Sequence, residues 1–504
     1  MFAVTVDTDR LEYDIHSLVK AFYPEETVRV VSPSTDREKA EELRAGVRMR
    51  IILQGSKPSI TFFGHEAGEL RGQYTGREDL WEKTEKDPAG KINKNRMKAF
   101  LYRSLEAHTG KSLPWGNLTG IRPTKIAMGM LEKGKSDVEI GRFMREVHFV
   151  SSEKAALSID IAHREKELLA PLHVREGYSL YIGIPFCPTT CLYCSFTSYP
   201  ICAYEGIVEQ YIDCVCREME YVAQAYKGKV LDSIYIGGGT PTTLSAKQLD
   251  RLMVCLENTF DLSSLMEFTV EAGRADSITA DKLKVLKEHG VTRISVNPQT
   301  MKDETLELIG RRHTVEQVKE AFAMARLAGF DNINMDVILG LPGETAEDVK
   351  KTIKEIRNLN PDSLTVHSLA IKRASRLRSW IEENGIQCLK NTDETMEIAA
   401  AGAKKMGMEP YYLYRQKNMS GNFENVGYAK PGKYGIYNIL IMEEMQTIMA
   451  LGAGSISKIV LPDGRIERAD NVKDVRLYIE KIEEMLYRKK ELFHIQEMEG
   501  WLGK

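Results

Sequence analysis

Tyr181-Ile182-Gly183-Ile184-Pro185-Phe186-Cys187-Pro188-Thr189-Thr190-Cys191-Leu192-Tyr193-Cys194-Ser195-Phe196 is the stretch on which the reading of this chain turns. Its start predicts a β-strand, and the remainder a loop that gathers three thiols at the spacing C-x3-C-x2-C. Three thiolates can hold three irons of a 4Fe-4S cluster while the fourth iron keeps an open position for an outside ligand. Two plainer readings stand beside that one, a structural zinc site and three unrelated buried thiols. Zinc usually takes four N or S ligands in paired knuckles, and neither a second C-x2-C nor a nearby His pair is present.

Downstream of this loop, short apolar runs alternate with helical segments as far as Ile386. Leu180–Gly183, Ser233–Ile236, Glu267–Glu271, Arg293–Val296, Asn334–Leu339 and Ser363–Ser368 are the predicted strands. A repeated β-then-α rhythm implies parallel strands joined by right-handed crossovers. Six units are too few for a closed eight-unit barrel, so an α/β fold built on an open, partial (β/α)6 barrel is expected. Chemistry in such sheets gathers at the C-terminal strand ends, where the cysteine loop falls.

The next strand end carries Gly237-Gly238-Gly239-Thr240-Pro241, where missing side chains let backbone groups approach a ligand. Glu271, Gln299 and Asp336 follow at successive strand ends, each equally readable as an ordinary capping or loop residue. The cysteine loop resembles that of the radical S-adenosylmethionine (SAM) superfamily, and the run Asp336–Gly343 is similar to the oxygen-independent coproporphyrinogen III oxidase family. That resemblance implies cluster ligation by Cys187, Cys191 and Cys194. It also implies SAM contacts from Tyr181, Tyr193, Gly238, Gly239, Thr240, Glu271, Gln299, Arg311, Asp336 and Ala370, with Arg311 on a carboxylate.

Two departures stand out. Decarboxylating members carry a further cysteine where this chain has Phe196, a feature it shares with the haem-binding chaperone branch. The substrate arm at the N-terminus of those enzymes is replaced by the segment of 1 to about 170. The segments Leu118–Lys125 and Tyr411–Asn418, together with the length, resemble the HemZ branch.

Toward the ends, residues 1–75 show period-two runs that predict a small α+β domain, and 76–172 read as a helical region. The barrel is expected over 173–390 and a substrate-side α+β extension over 391–504. Lys91, Lys94, Arg96, Lys98 and Arg103 form a basic run that reads chiefly as a solvated helix face. Arg122 and Lys125 stand at a helix start suited to an anion, although the loop there also reads as a plain connector. Tyr412, Tyr414, Arg415 and Lys417 offer aromatic and cationic surface for a substrate, but strand alternation sets the first two on one face and the last two on the other.

The chain of 504 residues, 43% hydrophobic and 28% charged, is large enough for about two to four domains. A net charge of −3 gives no global case for nucleic acid or an anionic membrane surface. No apolar run reaches the ~18–20 residues of a membrane span, and the N-terminus lacks a signal-peptide pattern. Eight cysteines are too sparse for a disulfide framework, and a reducing, oxygen-poor cytoplasm is the expected setting. Cys202, Cys214, Cys216, Cys255 and Cys388 read as packing residues.

The resemblance implies a radical oxidative decarboxylation of coproporphyrinogen III propionates to vinyl groups, fed by a reducing donor such as flavodoxin or ferredoxin. The cofactors would be a 4Fe-4S cluster and S-adenosyl-L-methionine. A haem-binding chaperone of the same family, with His367 or His313 as an axial ligand, is the alternative. A radical SAM enzyme acting on another tetrapyrrole is a third reading.

Overall fold

The period-two runs at the start of the chain form a five-stranded sheet. Its strands are β1 (Phe2–Val6), β2 (Val28–Val31), β3 (Val47–Ile52), β4 (Ser59–Phe63) and β5 (Leu70–Thr75), in the order β2-β1-β3-β4-β5. β1 runs parallel to both neighbours and the rest pair antiparallel. A computed structural model describes residues 1–500 apart from 44–45, 55–56, 65–68, 77–79, 85–86, 121, 373–374 and 417–422. The chain divides into one unit of Met1–His163 with Arg415–Phe423 and another of Arg164–Tyr414 with Glu424–Lys504.

In the first unit, Val4, Met49, Ile51 and Phe62 of the sheet pack against Ile15, Leu18 and Phe22 of helix Glu12–Phe22. Helix Lys94–Thr109 adds Met97, Leu101 and Leu105 to that core. A separate hairpin pairs β6 (Trp81–Thr84) with β7 (Asp87–Ile92). Of the basic run, Lys94, Arg96 and Arg103 are exposed as the sequence reading expects, and Lys98 is the exception. Lys98 is buried, its amine 3.2 Å from Thr119 Oγ1 and pushed down to about 8 by burial, while Lys94 pairs with Asp14 at 2.9 Å. Spacing alone could not show that helix Lys94–Thr109 turns this side of itself toward the loop at Trp115–Thr119.

The second unit is built on alternation. Strands β8 (Gly177–Ile184), β11 (Val230–Gly238), β12 (Glu267–Gly273), β13 (Arg293–Val296), β14 (Ile333–Leu339) and β15 (Ser363–Ser368) run parallel in sequence order. A small two-stranded ladder, β9 (Phe186–Cys187) with β10 (Tyr199–Pro200), follows β8. Side chains of a strand point to opposite faces in turn. One face carries Ser179, Tyr181, Ser233, Tyr235, Thr269, Glu271, Arg293, Asn334, Asp336, Thr365 and His367. The other carries buried Leu180, Ile182, Ile234, Ile236, Phe268, Val270, Ile294, Met335, Val337, Leu364 and Val366. The polar face is hydrogen-bonded across strands, Ser233 to Ser179 at 2.8 Å, Arg293 to Ser363 at 3.1 Å and Thr365 to Asn334 at 3.2 Å. Such pairing is what makes a polar interior tolerable.

The six parallel strands and the open sheet agree with the sequence reading, and the sheet extends further at both edges. At one edge β17 (Asn425–Ala429) lies antiparallel to β15 and pairs with β16 (Glu409–Tyr414) on its far side. At the opposite edge β18 (Thr447–Leu451) lies parallel to β8, followed by the antiparallel β19 (Ile456–Val460) and β20 (Ile466–Asp470). The pairings of β17 with β15 and of β18 with β8 join residues about 60 and about 270 positions apart, so local pattern carries no trace of them.

A buried polar knot fixes the β18 edge to the start of the cysteine loop. The Glu218 carboxylate accepts from Lys489 Nζ, Tyr478 Oη, Asn471 Nδ2 and the Gly452 N–H. Both charged partners are fully buried. Tyr211 Oη then accepts from the Ala453 N–H at 3.0 Å and donates to Gly183 O at 2.6 Å. Removing one partner of a buried ion pair strands the other charge, at a cost of about 3–5 kcal/mol. Lys489→Met is therefore expected to lower unfolding stability by roughly that amount, and Glu218→Gln in the same chain to recover a large part of it, as read by chemical denaturation of the two variants.

Candidate functional site

The cysteine loop leaves β8 and is held by main-chain hydrogen bonds from three sides. Tyr199 N–H donates to Pro185 O at 2.8 Å, Leu192 N–H to Ile309 O at 2.9 Å, and Leu377 N–H to Leu192 O at 2.9 Å. Cys187 and Cys191 are buried and Cys194 is half-buried, and all eight cysteines of the chain are free. Burial pushes the Cys187 thiol up to about 11 and raises Cys194 as well, and the neighbouring sulfurs add to both effects. Among the described residues no three His, Cys, Asp or Glu side chains converge as ligands of a single ion would. Each sulfur has a polar neighbour of its own. Thr240 Oγ1 lies 3.4 Å from Cys187, Ser198 Oγ 3.7 Å from Cys194, and Arg274 Nη1 3.9 Å from Cys191. Phe196, two residues past the last thiol, is 75% exposed.

The glycine turn after β11 docks directly on this loop. Gly239 N–H donates to Ile184 O at 2.8 Å and Thr240 N–H to Phe186 O at 2.7 Å. A Cβ on Gly239 would stand 2.5 Å from Phe186 O, so the space freed at this glycine is filled by the chain's own backbone. Gly238, at φ 105°, lies where a Cβ would be 3.2 Å from Tyr181 Oη.

Tyr181, on the polar face of β8, stacks at 6.3 Å on both Tyr235 and Tyr437. Tyr437 sits in helix Ile436–Glu443. Tyr235 Oη donates to Glu271 at 2.5 Å, and burial raises the Glu271 carboxyl to about 7. Asp336 goes the other way. Burial opposes its ionisation, yet His367, Asn334 and Thr365 hold it below the ordinary carboxylate range. His367 Nε2 is 3.7 Å from Asp336 Oδ2, and Asn334 Nδ2 donates to Oδ1 at 2.7 Å.

Gln299 follows β13 in a left-handed conformation, φ 67°, pinned by its N–H to Asp336 O and by Ile338 N–H to its own carbonyl, both 2.9 Å. Arg311, buried, donates to Asn297 O and to Tyr193 Oη at 3.2 Å. Ala370 forms an isolated bridge just past β15 and is half-buried. Gln299 Oε1, Asn297 Oδ1 and Arg311 Nε are buried without a hydrogen-bond partner among the described residues. Donor and acceptor atoms left open beside a thiol loop and a pair of carboxyls suit a zwitterionic ligand, which would supply the missing partners.

The residues expected to meet a substrate separate. Tyr412 and Tyr414 lie on β16 with rings 6.2 Å apart, and Tyr414 Oη is 3.4 Å from His367 Nδ1. A bulge between Pro410 and Tyr412 breaks the simple alternation expected there, and Tyr411 accepts from Asn438 Nδ2 at 3.2 Å. Arg415 belongs to the first unit, buried with its guanidinium 5.8 Å from the Trp115 ring and donating to Leu118 O. Arg122 is half-buried and Lys125 exposed in that same unit, and Lys417 lies outside the described residues. His313, the other candidate axial ligand, is buried 3.6 Å from Asp276. Sequence reasoning missed Tyr235, Tyr437 and Arg274. The alternation of β11 would have placed Tyr235 beside Tyr181, whereas nothing local marks a loop arginine or a distant helix.

Residues 181–356 match the radical SAM superfamily. The chain is 40% identical over 95% of its length to the oxygen-independent coproporphyrinogen-III oxidase-like protein HemZ of Bacillus subtilis, covering 94% of that protein. The heme chaperone HemW of the same organism is 34% identical over 61% of this chain and 76% of its own. Among solved structures, coproporphyrinogen III oxidase HemN from Escherichia coli shares the fold with a TM-score of 0.51 at 24% identity, over 64% of this chain and 72% of HemN. No helix among the described residues is long and apolar enough to cross a membrane. The superfamily uses a 4Fe-4S cluster and S-adenosylmethionine, and these are the cofactors of this protein. Near-complete coverage in both directions leaves one assignment: the chain belongs to the radical SAM superfamily and, within it, to the HemZ-like branch of the oxygen-independent coproporphyrinogen III oxidase family.

Proposed function

We propose that this protein carries out the oxygen-independent oxidative decarboxylation of coproporphyrinogen III propionates to vinyl groups, giving protoporphyrinogen IX in the cytoplasm. The observation that carries this reading is the convergence of the cysteine loop, the glycine turn and the unpartnered Arg311 and Gln299 atoms at one end of the parallel sheet. When bound, the two cofactors supply abstraction of a hydrogen atom from the β-carbon of a propionate, after which loss of carbon dioxide and one electron leaves the vinyl group.

In this reading Cys187, Cys191 and Cys194 hold the cluster. Arg311 pairs with the carboxylate of S-adenosylmethionine through its planar guanidinium. The backbone of Gly238, Gly239 and Thr240, with Glu271, Gln299, Asp336 and Ala370, orients the rest of that molecule, while Tyr181 and Tyr193 wall it from water. Residues 173–390 are the catalytic barrel and 391–504 lie on the substrate side. Tyr412 and Tyr414 are the stacking surface for a tetrapyrrole ring. Arg122, Lys125 and Arg415 belong to the first unit and are not assigned to that surface, and Trp115 and Leu118 already engage Arg415. A reducing protein of the flavodoxin or ferredoxin class supplies the electrons.

A second reading, haem carriage, draws on Phe196 two residues after the last thiol and on the 34% identity to a heme chaperone. Two experiments test these assignments. Cys194→Ala is expected to lose the reduced-state EPR signal of the reconstituted cluster, and survival of that signal would remove Cys194 from the ligand set. Anaerobic incubation of the reconstituted protein with coproporphyrinogen III, S-adenosylmethionine and a reductant is expected to give a product lighter by two carbon dioxides and four hydrogens, read by mass spectrometry. Stoichiometric haem binding with no vinyl product would instead establish the carrier.

A further inference from the structure

We propose that Arg274 sets the reduction potential of the cluster by placing a fixed positive charge and an N–H donor on the Cys191 sulfur. The inference rests on the assignment of the three cysteines as cluster ligands. Arg274 follows β12, is 3% exposed, and uses every nitrogen of its side chain. Nη1 donates to Thr189 Oγ1 at 2.7 Å and Thr189 O at 3.0 Å, and stands 3.9 Å from Cys191 Sγ. Nε and Nη2 grip the two oxygens of Asp276 at 2.9 and 2.6 Å. The guanidinium therefore cannot swing away from the sulfur without breaking a bidentate pair and two contacts to the cysteine loop.

The hydrogen-bonding neighbours of the other two sulfurs are the neutral hydroxyls of Thr240 and Ser198, and the two arginines reach those sulfurs only through their field, Arg274 at Cys187 and Arg311 at Cys194. Two permanent cations flank Cys191, Arg274 by this contact and Arg311 through its electrostatic coupling to the same sulfur. Arg311 is occupied with Asn297 and Tyr193 and is assigned above to the SAM carboxylate, whereas Arg274 touches no residue assigned to that ligand. Asp276 and His313, 3.6 Å apart, and the Cys187 thiol are the other charged or titratable groups facing Arg274 among the described residues. One-electron reduction adds a negative charge to a cluster. A buried cation and donor at one of its sulfurs favour that reduced state, because in a dry site the attraction is little screened. The aspartate partly offsets this and fixes the geometry, so Arg274 acts as a positioning and tuning residue and not as a ligand.

The test is a potentiometric titration with dithionite, followed by EPR, on anaerobically reconstituted wild type, Arg274→Gln, Arg274→Lys and Asp276→Asn, with iron and sulfide counted in the same samples. Arg274→Gln is expected to move the midpoint to more negative potential, Arg274→Lys to fall between it and wild type, and Asp276→Asn to move it to more positive potential. A midpoint unchanged in Arg274→Gln at full iron content overturns the proposal. Should Arg274→Gln fail to load, an unchanged or more negative midpoint in Asp276→Asn overturns it equally. Absence of iron from the wild type would defeat the ligand assignment itself and the proposal with it, and the iron count separates that failure from the other two.

Discussion

Two hydrogen bonds between neighbouring strand ends govern the rest of the second unit: Gly239 N–H to Ile184 O and Thr240 N–H to Phe186 O. They form only because Gly239 has no Cβ, and they bring the backbone of the β11 turn against the start of the cysteine loop. The same approach carries the Thr240 hydroxyl to the Cys187 sulfur. On the opposite edge a second glycine turn does similar work. Gly452, at φ 89°, lies where a Cβ would meet Gly183 O at 2.4 Å, and the buried Glu218 carboxylate holds that turn in place. The strand that feeds the thiols is thus clamped by close backbone packing on both sides, and a loop so held presents its sulfurs in one arrangement.

Inside the sheet the constraint is electrostatic. Parallel strands covered by crossover helices are usually apolar on both faces, yet here one face is a continuous polar layer. Many of its groups are tolerated because they bond across strands, as Ser233 does to Ser179, Tyr235 to Glu271 and Thr365 to Asn334. The chain also divides two carboxyls by environment: burial keeps Glu271 protonatable near neutrality, while His367 and Asn334 keep Asp336 ionised. One side of the sheet interior therefore offers a neutral or anionic oxygen according to pH, and the other a permanent anion. Tyr437 closes the layer from a distant helix, stacked at 4.5 Å on Tyr235.

Much of this was legible in the sequence, for reasons that are local. Ligand spacing within eight residues, Cys187 to Cys194, is a local pattern, and so is the β-then-α rhythm that places six parallel strands. Strand positions follow from the same rhythm, which puts Glu271 late in β12, Gln299 just past β13 and Asp336 in the middle of β14. What was not legible depends on long-range pairing. β17 and β18 join the sheet through partners about 60 and 270 positions away, Val366 with Val426 and Tyr178 with Thr447. Lys98 reads as solvated until Thr119 and Asp14 close over it, and Arg415 reads as a substrate cation until Trp115 takes it. A loop arginine such as Arg274 carries no periodicity at all, so its contact with Cys191 is visible only in three dimensions.

The central claim is that one iron of the cluster lacks a protein ligand and binds S-adenosylmethionine through its amino acid end. Electron–nuclear double resonance on the reduced, reconstituted protein mixed with S-adenosylmethionine carrying nitrogen-15 in its amino group reads that bond directly. The account predicts a strong nitrogen-15 hyperfine coupling to the cluster. A fully formed cluster that shows no coupling at saturating cofactor would contradict it.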